Sequence, residues 1–265
     1  MRVAVIAGSI AAGMRLAREV ERVPGVEVFV VVCDPANRRS ALRWLREFVL
    51  LVKSPRDWAS ARWWTYARSR RLVVLRRALG DPSSTDRIRA LRCDVGLHAA
   101  NVIYSERTIG AFRLGILNAH IGILPEYRGR SVAEWSVLQG DSTGVTVFFI
   151  DSGIDTGQRI VLREFVAPNG SWSVAELKRM LFECDARLYR RAVEALIAPG
   201  FQFECNEVAK GRRYYVMSKM LTRVADEILA KPNPESKVFQ EGKDEFAAEV
   251  LYSAQGGKHE QSSRC

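Results

Sequence analysis

From Arg2 to Ala7 the chain reads Arg-Val-Ala-Val-Ile-Ala, and Gly8-Ser9 closes the run. A short β-branched stretch ending in a turn pair predicts a buried strand. Over Ala11–Val23 the apolar residues Met14, Leu16, Ala17, Val20 and Val23 recur at helical spacing, with Arg and Glu between them. That spacing predicts an amphipathic helix. Val26–Val32 is apolar again. Such runs suit parallel strands covered on both faces, and strand, helix, strand of this length opens a βαβ unit.

A stretch from Pro35 to about Leu79, rich in Arg and Trp, has helical character, and the polar break Gly80-Asp-Pro-Ser-Ser follows it. Further strands are predicted over Cys93–Ala99, Gly115–Ala119, Gly144–Ile150 and Gln158–Val166, with short helices over Ser105–Phe112 and Ser131–Leu138. Ser173 and Glu176 form a capping box that opens a helix running to Ile197, with Val174, Leu177, Leu181, Leu188 and Leu196 on its apolar face. Pro199-Gly200 stops it. Lys210–Tyr215 reads as a basic-aromatic strand and Ser218–Ala230 as a last helix. Beyond Lys231, Pro, Glu, Gly, Ser and Gln dominate, which predicts a mobile tail with a helical stub at Asp244–Leu251. The predicted fold is α/β, a Rossmann-like mostly parallel sheet with a short, mainly helical C-terminal extension. The main domain is expected over residues 1–200, with an Arg/Trp-rich helical insertion at about 41–79. The extension is expected over 201–231 and the tail over 232–265.

Composition narrows the class. The chain has 265 residues and is 48% apolar, which excludes wholesale disorder. Its five cysteines are scattered and form no Cys/His cluster, so neither a zinc site nor a disulfide framework is expected. A reduced, cytoplasmic setting fits best. The opening Met-Arg-Val-Ala-Val-Ile-Ala-Gly-Ser lacks the apolar core of a signal peptide. The apolar run Phe48–Val52 is too short to span a bilayer.

The formal net charge is +10, and its position matters. Between Ala41 and Leu79 stand Arg43, Arg46, Lys53, Arg56, Arg62, Arg68, Arg70, Arg71, Arg76 and Arg77, opposed by only Glu47 and Asp57. Eight of the ten net charges therefore lie in that stretch, beside Trp44, Trp58, Trp63, Trp64 and Tyr66. Basic residues among aromatics suit a phosphate-bearing partner with a stackable base, and equally an anionic membrane surface. A solvated helical hairpin whose aromatics pack on the sheet is the plainer reading, and it is favoured for most of the Trp residues. From Phe201 onward ten acidic and ten basic residues balance.

The block Leu117–Gly157 carries the candidate chemistry. Asn118 and His120 lie two apart at a strand end, so both side chains share one side. Ligands of open α/β sheets bind at such carboxyl ends. Asp151 and Asp155 stand between glycines in the turn after the next strand. An amide donor, an imidazole and a carboxylate in one crevice are the parts needed for acyl transfer to an amine. Asn118 can stabilise a developing oxyanion, His120 can do so or exchange a proton, and Asp155 can orient His120. No nucleophilic Ser or Cys lies beside them, which favours direct attack by the amine. Singly, each residue could merely cap a loop. Their combination with Leu124-Pro125 and Tyr127-Arg128-Gly129 is far more specific.

Asn118, His120, Leu124, Pro125, Tyr127, Arg128, Gly129, Asp151, Asp155 and Gly157 match the pattern Asn-x-His-x-Ser-Leu-Leu-Pro, then an aromatic-basic-Gly loop, then Asp-x-x-x-Asp-x-Gly. On these residues the chain resembles the folate-dependent formyltransferases, which include methionyl-tRNA formyltransferase, glycinamide ribonucleotide transformylase and the sugar-nucleotide N-formyltransferases. The resemblance is strong over Cys93–Val166, weaker over the opening βαβ unit, and thin elsewhere. It implies Asn118, His120 and Asp155 as catalytic residues and 10-formyltetrahydrofolate as donor, with no metal. It also implies a pterin wall at Asn101, Val102, Ile103 and Tyr104, with Ile109 nearby. The loop Ile150, Asp151, Ser152, Gly153 and Ile154 is expected to close the other side.

Two departures stand out. Gly122 occupies the family serine position, and Gly8-Ser9-Ile10-Ala11-Ala12-Gly13 is a weak version of the phosphate loop of the ribonucleotide branch. Glycinamide ribonucleotide is therefore disfavoured. The expected acceptor is a small anionic amine such as an amino-sugar nucleotide. A tRNA substrate is disfavoured, though not excluded, because the neutral end of the chain offers no basic barrel. The open alternatives are a methionyl-tRNA formyltransferase-like enzyme, a formyltetrahydrofolate hydrolase, a non-catalytic folate-binding module, and a membrane contact through 41–79. A homodimer also stays open.

Overall fold

The computed structural model describes residues 1–33, 63–166 and 172–231. The chain divides into two compact units. One comprises residues 1–120, 146–162 and 184–206, and the other residues 121–145, 163–183 and 207 onward.

The first unit opens as expected. Strand β1 (Arg2–Ala7), helix α1 (Ile10–Val20) and strand β2 (Glu27–Val32) form a βαβ unit with β1 and β2 parallel. The Ser9 hydroxyl accepts from the Ala12 N–H and caps α1. Two elements differ from expectation. Inside the stretch expected to be helical, only Trp63–Arg68 (α2) is helical among the described residues, and Leu72–Val74 is a strand (β3) parallel to β2. The β-branched run satisfies the edge of β2, and that pairing overrides local helical character. Residues 41–62 of the Arg/Trp-rich stretch lie outside the described residues. Two of its arginines have structural partners: Arg71 stacks on the Tyr66 ring at 4.5 Å and pairs with Glu21 at 3.6 Å, and Arg77 pairs with Asp81 at 3.3 Å.

The polar break is itself a helix start. Asp81 caps Pro82–Ala90 (α3) by accepting from the Ser83 N–H, with Pro at the first turn. Strand β4 (Val95–Ala99), helix α4 (Glu106–Ile109) and strand β5 (Gly115–His120) follow. After the short strand Tyr127–Gly129 (β6) and helix Val132–Gln139 (α5) come β7 (Thr143–Phe149), β8 (Arg159–Val166), helix α6 (Val174–Ile197) and β9 (Glu204–Cys205). The sheet order is β3-β2-β1-β4-β5-β7-β8-β9. Five strands are parallel, whereas β7 runs antiparallel to β5 and β9 antiparallel to β8. One core layer joins Ile6, Phe29, Val31, Leu75, Ile88, Phe112 and Ile116, all buried.

In the second unit the capping box at Ser173 and Glu176 forms as expected, with each residue's side chain accepting from the other's backbone N–H. Lys210–Tyr215 yields strand β10 (Arg212–Tyr214), parallel to β6, and Ser218 caps helix α7 (Lys219–Leu229). The tail 232–265, with its expected helical stub, lies outside the described residues. Among the described residues no helix is long and apolar enough to cross a membrane, and no cluster of metal ligands occurs.

Candidate active site

Strand β5 places Asn118 and His120 on the same side, two residues apart at its carboxyl end. The antiparallel register sets Asn118 opposite Phe148 and His120 opposite Thr146. The Phe148 ring stands edge-on to the His120 imidazole at 6.5 Å. His120 is 7% exposed and Asp155 12%, and their Nδ1 and Oδ1 atoms are 3.6 Å apart. That distance holds an ion pair once the ring is protonated, yet exceeds a good hydrogen bond, as is common before a ligand closes a site.

The turn carrying Asp155 is built to hold it. The Asp151 carboxylate accepts from the Gly153 N–H at 2.9 Å and from the Thr156 hydroxyl at 2.7 Å. Asp155 itself has φ of +54°, a conformation that Asp tolerates better than most side chains. Gly157 must be glycine: a Cβ there would lie 1.7 Å from the Phe149 carbonyl oxygen. The buried Asn206 amide donates to the carbonyls of Asp155 at 3.3 Å and Gly157 at 3.0 Å.

The donor-wall candidates fall into three groups. Val102, Ile109 and Ile150 are half-buried and pack on the core layer. Tyr104 is buried within that layer, and its hydroxyl meets His98 Nδ1 at 2.8 Å. Ile103 is 94% exposed and Ile154 48%, while Asn101, Asp151, Ser152 and Gly153 are also exposed. Asp151 is committed to the turn, so its structural contribution is the loop's shape.

The formyl transferase family profile matches residues 1–193. The chain belongs to the formyl transferase family. Methionyl-tRNA formyltransferase from Parabacteroides distasonis is 35% identical over 134 residues, covering 50% of this chain and 41% of that protein. The Desulfotalea psychrophila enzyme of the same name is 32% identical over 152 residues, covering 52% and 47%. The chain thus spans half or less of the length of these relatives. In fold, it is similar to a 4-N formyltransferase from Francisella tularensis, with TM-score 0.58 at 12% identity over 88% of this chain and 89% of that one. Glycinamide ribonucleotide transformylase 1 from Symbiobacterium toebii gives TM-score 0.52 at 19% identity, over 78% and 94%.

Three residues of this formyl transferase chain bear on the site without having been legible as site residues. Asn206 anchors the Asp155 turn. His98, at the end of β4, is held neutral: burial pushes its pKa down to about 4, although the Asp155 carboxylate acts in the opposite direction. Tyr189 on α6 accepts from the Ala119 N–H, between the two candidate catalytic residues. A Tyr on an apolar helix face reads as core, and only the fold shows where its hydroxyl goes.

The rest of the family motif lies in the second unit, where β6 pairs with β10. Tyr127 and Tyr214 stack at 5.1 Å, and both hydroxyls donate to Gln139 Oε1. Tyr127 also bonds Asp141, and the Trp135 indole N–H donates to the Tyr215 carbonyl at 2.9 Å.

Proposed function

We propose that the chain transfers a formyl group from 10-formyltetrahydrofolate to a primary amine carrying a phosphate or nucleotide, such as an amino-sugar nucleotide. The observation that carries this reading is the pairing of buried His120 with half-buried Asp155, with Asn118 on the same strand face as His120. The neutral amine attacks the formyl carbon directly. Asn118 and protonated His120 donate to the oxygen on which negative charge develops. The Asp155 carboxylate orients the His120 ring and helps to remove the proton that the amine loses. The bond from the formyl carbon to the donor nitrogen then breaks, that nitrogen takes up a proton equivalent to the one lost by the amine, and the new amide C–N bond remains.

The exposed Ile103 and Ile154 and the half-buried Val102, Ile109 and Ile150 are apolar side chains of the kind that suit a flat ring such as a pterin. They support the donor assignment, and no metal is needed in this scheme. A cytoplasmic location belongs to the same proposal. The sequence relatives favour a second reading, methionyl-tRNA as acceptor.

The test is purified protein with 10-formyltetrahydrofolate and a panel of amino-sugar nucleotides, small amines and methionyl-tRNA. Transfer to a nucleotide amine supports the first acceptor, and transfer to methionyl-tRNA alone replaces it with the second. Formate release without any acceptor marks a hydrolase. Turnover that survives His120→Ala sinks the mechanism.

A further inference from the structure

The last register pair of β4 and β5 is Leu97 with Leu117, although the strands run on to Ala99 and His120. Just beyond that pair the Tyr189 hydroxyl stands between the two chains. It accepts from the Ala119 N–H at 2.9 Å and donates to the His98 carbonyl at 2.7 Å, with the Leu117 carbonyl 3.5 Å away. A phenol oxygen thus serves as the rung where backbone would otherwise meet backbone. Its position is specific: Ala119 lies between Asn118 and His120, and His98 is the residue whose ring bonds Tyr104.

The phenol is well suited to the task. Tyr189 is buried, and burial together with the nearby Asp185 carboxyl pushes its pKa far up, so the hydroxyl stays protonated and keeps donating to His98. A planar side chain fixed by core packing is a stiff spacer. Two strands joined only through it cannot close on each other past Leu117. We propose that Tyr189 is a positioning residue: its hydroxyl holds the ends of β4 and β5 apart and sets the backbone that carries Asn118 and His120. The catalytic consequence rests on the formyl-transfer reading, while the spacer itself does not.

Tyr189→Phe removes one oxygen and keeps the ring. Without the hydroxyl, the Ala119 N–H either loses its partner or finds one on β4, and in both cases Asn118 and His120 shift. Misplacement of about 1 Å is worth on the order of 100-fold in rate. The variant should lower kcat by about 10- to 100-fold while the KM for 10-formyltetrahydrofolate changes by less than about 3-fold. Two readouts need no substrate: faster hydrogen exchange at the Ala119 amide, and displaced His120 ring resonances. Tyr66→Phe, a buried tyrosine elsewhere in the same unit, is the control and should leave all of these unchanged.

If Tyr189→Phe loses only thermal stability, with Ala119 exchange, His120 resonances and kcat as in the wild type, the proposal is wrong. If the wild type transfers formyl to no amine, the formyl-transfer reading fails by itself. The exchange and resonance changes then still decide the spacer.

Discussion

One contiguous motif, Asn118 to Gly129, serves two regions that are packed differently. At the end of β5, the buried His120 ring stands 3.6 Å from the half-buried Asp155 carboxylate. In and beside the β6–β10 ribbon, the Tyr127, Tyr214 and Trp135 donors have hydrogen-bond acceptors, and two hydroxyls share Gln139. The two tyrosine hydroxyls are met within the fold because an unmet buried donor is costly, whereas Arg128 Nε on β6 is buried without a hydrogen-bond partner. On the proposed function, the Asn-x-His half of the motif supplies the chemistry, while the aromatic-basic-Gly half builds the packed ribbon.

The sharpest way to break this contrast is Asp155→Asn. Asn accepts the left-handed backbone at φ +54° about as well as Asp, so the turn should stay folded. The charge facing His120 is lost, and kcat should fall by about 1,000-fold with the melting temperature nearly unchanged. A variant that melts early but turns over normally would place Asp155 with the framework instead.

Gly129→Ala tests the other side. Gly129 has φ of +105°, and a Cβ there would lie 2.2 Å from the Tyr214 carbonyl oxygen. The alanine cannot fit without parting β6 from β10, which should cost about 3 kcal/mol. Denaturant melting checks this. A loss under about 1 kcal/mol would show that the ribbon yields easily.

How much of this was legible in the sequence depended on range. The strands β1, β2, β4, β5, β7 and β8 follow from local apolar runs. Asn118, His120 and Asp155 could be marked because strand alternation and glycine-flanked turns are local signals. The helix starting at Asp81-Pro82 was hidden because a cap and a loop use the same residues, Asp, Pro and Ser. The antiparallel direction of β7 was hidden because direction depends on the path of the connection. Tyr189 and Asn206 come from far along the chain, and each acts through one atom on a backbone group more than forty residues away. No periodicity marks such a contact.

The smallest expected effect concerns acid–base balance beneath the site. Burial pushes the His98 pKa down to about 4 and the Asp185 carboxyl up to about 7, the latter opposed by Arg15. The signs oppose each other. An unfolded His binds its proton near pH 6.5, so folding strength from His98 is present above that pH and is lost as pH falls towards 4. An unfolded Asp ionises near 3.8, so the contribution of Asp185 is full below that pH and is lost as pH rises through 7. Both side chains are half-buried, so solvent limits each term to about 2 kcal/mol. Between pH 4 and 6.5 the two slopes largely offset one another in the wild type. His98→Gln should leave the Asp185 term, so that the melting temperature falls with rising pH. Asp185→Asn should leave the His98 term, so that it rises. Flat profiles in both single variants would show that neither group is held in its neutral form by the fold.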